Sequence, residues 1–305
     1  MARPRIFEFL LAGAMLNLAA CGGAGGGVQS ASGSPPPSPP PPASPPISAG
    51  QLMVFPGVTT STDFAAQGYE GPTQGPSANL LTSSGFSVRY DASSGEYIFD
   101  LPASAPGTVS VAQTGERYWN GSLSGQPVGS GILAVNVFRP GPQNWDFPNL
   151  TYTSFAEYST AAGRTGQVAF GQATAASAMP LTGAATFSAF AAGQTEQGYS
   201  VRGSATLQFN FGAGTLSGSF DPYIYDLLAG NTPLGHYDFA NTVYGSGSTT
   251  FSGELARSGV ADRGSFNGQF TGPGAEELMA RWTAPLPNAG TNTTSQMFGV
   301  WVGRH

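Results

Sequence analysis

Residues of types that do chemistry are sparse in this 305-residue chain, and they are unevenly spread. The densest group lies between Asp221 and Phe239, where Tyr223, Tyr225, His236 and Tyr237 sit among Asp221, Asp226 and Asp238. Tyr and His both ligate haem iron, and connections on a rigid scaffold commonly carry binding. Tyr223, Tyr225, His236 and Tyr237 are therefore candidate ligand-binding residues, with haem among the ligands they could take and Tyr225 or His236 as the iron contact. An aromatic-rich connection that closes the mouth of a barrel would use the same residues. Glu276 and Glu277 form a second feature. They follow Gly272-Pro273-Gly274, and a Pro followed by two carboxylates predicts a short helical turn with both glutamates near its N-terminus. Adjacent carboxylates pointing different ways are not an acid/base pair. The chain has no G-x-S-x-G elbow, phosphate loop, H-E-x-x-H or dinucleotide fingerprint. Its two histidines and one cysteine lie far apart, which argues against a zinc site. The expectation is a non-enzymatic protein without a metal.

The elements that must position these residues read as strands. Gly is abundant, at 44 residues, and charged residues make up only 9%; with many Ser, Thr and Ala, this favours short strands and turns over long helices. Residues 50–148 read as a small β-rich domain. Its clearest hairpin runs Phe86–Tyr90, then a polar Gly-containing loop, then Glu96–Leu101. Gly131–Phe138 reads as a further strand. Residues 149–305 read as an antiparallel barrel of about eight strands, with Leu150–Tyr158 and Val168–Gly171 as its first strands. The firmest strand is Tyr199–Phe211, where Val201, Gly203, Ala205, Leu207, Phe209 and Phe211 share one face. Thr249–Leu255, Arg263–Phe270, Met279–Ala284 and Met297–Gly303 supply later strands. Small residues such as Gly203, Ala205, Gly264 and Gly268 share faces with phenylalanines, the pattern of a filled interior.

Phe266-Asn267-Gly268-Gln269-Phe270-Thr271-Gly272-Pro273-Gly274-Ala275-Glu276-Glu277-Leu278 resembles the signature of the transferrin-binding protein B-like β-barrel family. Phe298–Gly303 resembles the last strand of that domain, and Ala178-Met179-Pro180 with Thr182–Phe190 resembles another family segment. Tyr90–Tyr97 resembles a hairpin in the small β handle that precedes the barrel. Gly274 stands where the family has Asn, and Met279-Ala280 where it has Gly-Gly. Gly keeps access to positive φ at its position. The resemblance implies an all-β fold, a handle-like domain followed by a soluble barrel. It also implies a surface-displayed lipoprotein that binds a host iron- or haem-carrier protein, or an iron or haem source, without enzymatic activity. A structural or adhesive envelope lipoprotein with no small ligand is the alternative.

The N-terminus agrees with that class. Residues 1–20 read as a lipoprotein signal peptide: Arg3 and Arg5 precede a mostly apolar run from Phe9 to Leu16, too short to span a bilayer. Leu18-Ala19-Ala20-Cys21 resembles a bacterial lipobox, and it holds the single cysteine of the chain. That resemblance implies cleavage before Cys21, acylation of its thiol and new amino group, and, with Gly22 next, sorting to the outer membrane. The other reading is an ordinary signal peptide with a chance cysteine. Residues 21–49 read as a tether. Pro35–Pro46 holds nine prolines, and polyproline II at ~3.1 Å per residue would extend these residues over roughly 35–40 Å. The 11 basic residues are all arginine and the net charge is −6, so the dense basic surface of a nucleic-acid binder is lacking. One cysteine allows no internal disulfide.

Overall fold

The computed structural model describes residues 55, 58–72, 81–93, 96–102, 108–111, 118–121, 132–138, 149–161, 163–288 and 293–305. Cys21, the tether and the signal segment lie outside the described residues. The described chain is all-β, with one 3-10 turn at Ala176–Ala178 and no helix long and apolar enough to cross a membrane.

Eight strands make the first sheet. They are β1 (Thr62–Pro72), β2 (Ser87–Asp91), β3 (Glu96–Asp100), β4 (Thr108–Val111), β5 (Tyr118–Gly121), β6 (Ile132–Phe138), β7 (Thr153–Thr160) and β8 (Arg164–Gly171), in the order β4-β3-β2-β1-β8-β7-β6-β5. The expected hairpin is β2–β3, with Asp91 opposite Glu96. Phe64, Val88, Tyr97, Phe99, Val137 and Phe170 pack together on this sheet. Tyr158 and Glu70 are buried within it; the Tyr158 hydroxyl donates to Glu70 Oε2 at 2.8 Å, and Arg164 bonds the other oxygen. Burial, then the Glu70 charge, pushes the Tyr158 phenol far up.

The second sheet closes. Its strands are β9 (Ala184–Thr195), β10 (Ser200–Asn210), β11 (Thr215–Ile224), β12 (Thr232–Pro233), β13 (Tyr237–Val243), β14 (Thr250–Ala256), β15 (Gly264–Thr271), β16 (Glu277–Pro287) and β17 (Thr294–Arg304). The order β10-β9-β17-β16-β15-β14-β13-β11 is completed by pairing of β11 with β10, giving an eight-stranded antiparallel barrel, while the two-residue β12 pairs only with Tyr223 and Ile224. Closure removes exposed strand edges. The alternation read from β10 holds: Val201, Gly203, Ala205, Leu207 and Phe209 are buried, and Ser204, Gln208 and Asn210 are exposed. Inside, Trp282, Trp301, Phe220, Phe266 and Phe270 are fully buried, each such side chain contributing about 1.5–3 kcal/mol of burial free energy. Gly193 makes room for this filling, since a Cβ there would stand 2.8 Å from the Trp282 ring. Among the described residues these aromatic side chains fill the barrel as a packed core.

Two expectations are corrected. Leu150–Tyr158 and Val168–Gly171 are not barrel strands. β8 pairs with β1 over eight positions and with β7, so the boundary expected at residue 149 falls within the first sheet, and the barrel starts at Ala184. Alternation tells which face of a strand is apolar but not which sheet supplies its neighbour. Here the apolar outward face of the barrel is what misleads: Phe155 and Ala169 pack on Ala192, Met279, Val300 and Val302 of the barrel wall. The second correction concerns Gly272–Glu277, which is a tight turn and not a helical one. Gly272 takes φ 88° and Ala275 φ 62°, which no helix accommodates, and β16 begins at Glu277.

Candidate binding surface at one end of the barrel

The turns joining β9 to β10 and β11 to β13 share one end of the barrel, because Val201 pairs with Ile224. Beyond Ile224 the chain leaves the sheet. The Tyr225 N–H donates to Ser200 O at 2.9 Å, and residues Leu227–Ala229 form a turn. Asp226 organises this turn. Its Oδ1 accepts the N–H groups of Leu228 at 2.8 Å and Ala229 at 3.0 Å, and the Gly230 N–H donates to Asp226 O at 3.1 Å with Gly230 at φ 84°. An Asp side chain that bonds backbone two and three residues on is a local turn-former. The bonds from Ala229 and Leu228 hold the Asp226 carboxyl below the usual carboxylate range. The turn presents Leu227 at 82% and Leu228 at 99% exposure. Tyr199, from the β9–β10 turn, and Tyr225 are also exposed at this end of the barrel.

The four candidate residues do not converge. Tyr237 lies on the inner face of β13, fully buried, and its hydroxyl donates to Pro285 O at 2.6 Å; burial raises its pKa. It is core and is withdrawn as a ligand contact, because the period-2 pattern restarts at Tyr237 and turns it inward. Tyr223 is half-buried on the outer face of β11. Tyr225 stands at the tip with the Arg202 guanidinium 5.9 Å from its ring centroid. His236 is exposed, its Nδ1 2.7 Å from Asp221 Oδ1 and its Nε2 3.4 Å from Asp238 Oδ1. The Asp221 hydrogen bond, with the nearby Asp charges, raises the His236 pKa. Both ring nitrogens thus face carboxylates, an arrangement that favours the imidazolium, which has no lone pair for iron. Among the described residues no cluster of three His, Cys, Asp or Glu side chains could hold a metal ion.

Glu276 and Glu277 part company, as their adjacency implied. Glu276 Oε2 accepts the Gly274 N–H at 2.8 Å. Glu277 is buried and accepts the backbone N–H groups of Thr151 and, at 2.9 Å, Tyr152. The end of the signature motif therefore binds the connection that leads into β7. Leu227 and Leu228 escaped the sequence reading, Asp226 entered it only as an acidic neighbour of the candidates, and Tyr199 only as the start of a strand. The signal for them was present: Asp followed by two leucines, outside any alternating run.

The sequence matches no protein-family model and no curated protein. Solved structures do resemble the fold. The haemoglobin receptor HpuA from Kingella denitrificans, in complex with human haemoglobin, is 14% identical, with 84% of this chain and 90% of that chain covered and a TM-score of 0.43. Transferrin-binding protein B from Haemophilus parasuis, as a Trp-176-Ala mutant, is 14% identical over 79% of this chain and 45% of that chain, with a TM-score of 0.45. The isotype 1 protein of that name from serogroup B Neisseria meningitidis is 13% identical over 79% and 43%, with a TM-score of 0.45. The present chain thus spans less than half the length of the two transferrin-binding protein B structures. That protein is also the one whose family the sequence motifs resemble.

Proposed function

We propose that this chain is a non-enzymatic binding protein, anchored to the bacterial outer membrane through acylated Cys21, that captures a host iron- or haem-carrier protein. The observation that carries the reading is the pre-organised tip. Two leucines almost wholly exposed at a turn pinned by Asp226, with Tyr199 and Tyr225 also exposed at this end of the barrel, are costly to leave in water and mark an interaction site. Large rigid aromatics next to aliphatic side chains are the usual anchors of protein interfaces. A turn already held in one conformation also loses little entropy on binding. The filled barrel interior favours a macromolecular partner over an enclosed solute. The lipobox supports the anchor, and the family resemblance supplies the partner class.

The test is surface plasmon resonance of the full chain against haemoglobin and transferrin, with a Soret-band titration of haem alongside. One of the two proteins should bind. Replacing Leu227 and Leu228 together by Ser should remove binding and leave the melting temperature unchanged, since neither side chain packs on the core. Haem binding without protein binding would move the function to a haem source. Binding of neither protein nor haem would favour a structural or adhesive envelope role. Protein binding that survives the double substitution would place the interface elsewhere.

A further inference from the structure

A second surface feature lies on the outer wall of the barrel, away from the tip. Strands β14 and β15 place Thr250 opposite Gln269 and Ser252 opposite Asn267. Directly opposed side chains in an antiparallel pair stand about 5 Å apart at Cβ, so these four form a compact ladder of neutral hydrogen-bonding groups. Gln67 of β1 flanks it from the first sheet, anchored by its Nε2 bond to Met279 O at 2.8 Å. Together with the β13–β14 connection they line a cavity of about 300 Å³, the small end of the range for ligand pockets.

The lining has an unusual chemistry. Among the described residues that line it, none is charged. The nearest cation on the adjoining strand, Arg281 opposite Asn267, is committed to Ser83 O and to the Tyr69 ring, 5.7 Å from its centroid. Tyr244 also lines the cavity, and its hydroxyl is buried without a hydrogen-bond partner among the described residues. A buried hydroxyl with nothing to bond is costly, and such exceptions call for a reason. Phe251 borders the cavity, but its ring turns inward and packs on Phe209 and Phe270 in the barrel core. Amides and hydroxyls that both donate and accept, with no charge among the described lining residues, match a neutral polyol. They give no counter-charge to a phosphate or a carboxylate, and they are too polar for a lipid chain.

We infer that the cleft formed by Gln67, Tyr244, Thr250, Ser252, Asn267 and Gln269 is a binding site for a neutral saccharide, of a size to take a single sugar residue or a little more. This assignment does not rest on the proposed partner protein: the two surfaces use different residues, and either could fail alone.

The experiment is saturation-transfer difference NMR on the full chain in a sugar-free detergent, with the methyl glycosides of galactose, mannose, fucose and N-acetylglucosamine as probes. At least one should receive saturation. Two variants localise it. Asn267→Ala with Gln269→Ala alters only outward side chains, so the barrel should melt as before while affinity falls by about tenfold or more. Tyr244→Phe removes one unpartnered hydroxyl; it should leave the melting temperature unchanged or raised and still weaken the saccharide. The inference is overturned if no glycoside receives saturation, or if the bound one is indifferent to both variants. It is equally overturned if inorganic phosphate or sialic acid competes for the same residues more strongly than any neutral sugar.

Discussion

Removing the carboxylate of Glu277 should loosen the junction between the two sheets by a measurable and graded amount. Glu277 is 3% exposed. Its two oxygens accept the N–H groups of Thr151 and Tyr152, and Arg304, close enough to favour its charge, donates to Asn149 O at 2.8 Å. Glu277→Ala leaves two partly buried backbone donors unpaired. At about 1–3 kcal/mol for each of the two orphaned groups, the loss should be about 2–6 kcal/mol, towards the lower figure where water reaches the site. For a folded unit of this size that corresponds to a fall in melting temperature of roughly 4–24 °C. Glu277→Gln keeps one acceptor oxygen and turns an NH₂ group towards the other donor, so it should cost about half as much. Calorimetry on both variants decides the matter. If Gln is as damaging as Ala, the carboxylate acts through its charge and not as a paired acceptor; if Ala costs less than about 1 kcal/mol, the clasp is ornamental. The pH dependence gives an independent check. Burial raises the Glu277 pKa above 4.5 in spite of its hydrogen bonds. A carboxyl that binds its proton more tightly folded than unfolded adds stability below its unfolded pKa and loses it as pH rises through the folded one. The non-titrating Glu277→Gln variant should therefore fall further behind the parent at about pH 4 than at about pH 8. A deficit that grows with pH would contradict the assignment.

Two further outcomes follow. Phe270 is fully buried, with ring centroids 4.8 Å from Phe209 and 5.3 Å from Phe251, so Phe270→Ala should cost about 3–5 kcal/mol in a denaturant melt, and a loss under about 1 kcal/mol would mean that the interior repacks freely. Cys21→Ala should release the protein from membranes, and persistence in the outer-membrane fraction after a high-salt wash would refute the anchor.

How far the sequence revealed this architecture depends on what each residue pattern encodes. β10 was legible because one face meets the core and the other meets solvent, so Val201 to Phe209 alternate without interruption. β17 was read as a strand over Met297–Gly303 but without an alternating pattern: every residue from Met297 to Gly303 is buried, since the inner side meets Trp282 and the outer side meets β7 and β8. Burial on both faces erases the alternation. The same double burial hid the sheet membership of Phe155 and Ala169. At Gly272–Glu277, Pro and acidic residues signalled a helix start, but those residues also suit a tight turn. What decided between them was the pairing of Glu277 with Arg304 and Thr271, a long-range constraint with no local trace. Tyr225 and Tyr237 were indistinguishable by type. One is exposed and the other is core because Tyr237 opens a new strand opposite Phe220.

Arg202 gives the tip its mechanical footing. Its guanidinium forms a two-pronged ion pair with Glu157 of β7, Nη1 to Oε1 at 2.8 Å and Nη2 to Oε2 at 3.1 Å, and it also lies over the ring of Tyr225. A planar guanidinium can do both at once, engaging a carboxylate through its edge and an aromatic ring through its face, where a lysine could not. The first sheet, the barrel wall and the tip therefore meet at one side chain. Gln67 bonding Met279 O, and Thr165 bonding Gln194 Oε1 at 2.6 Å, tie the same two sheets elsewhere. With the sheets fixed against each other, Tyr225 is held from one side by the first sheet's carboxylate, through Arg202, and from the other by the Ser200 carbonyl. A partner that docks on Tyr199, Leu227 and Leu228 meets a surface whose position depends on both sheets. On the proposed reading the first sheet would steady the docking surface, although the tip itself belongs wholly to the barrel.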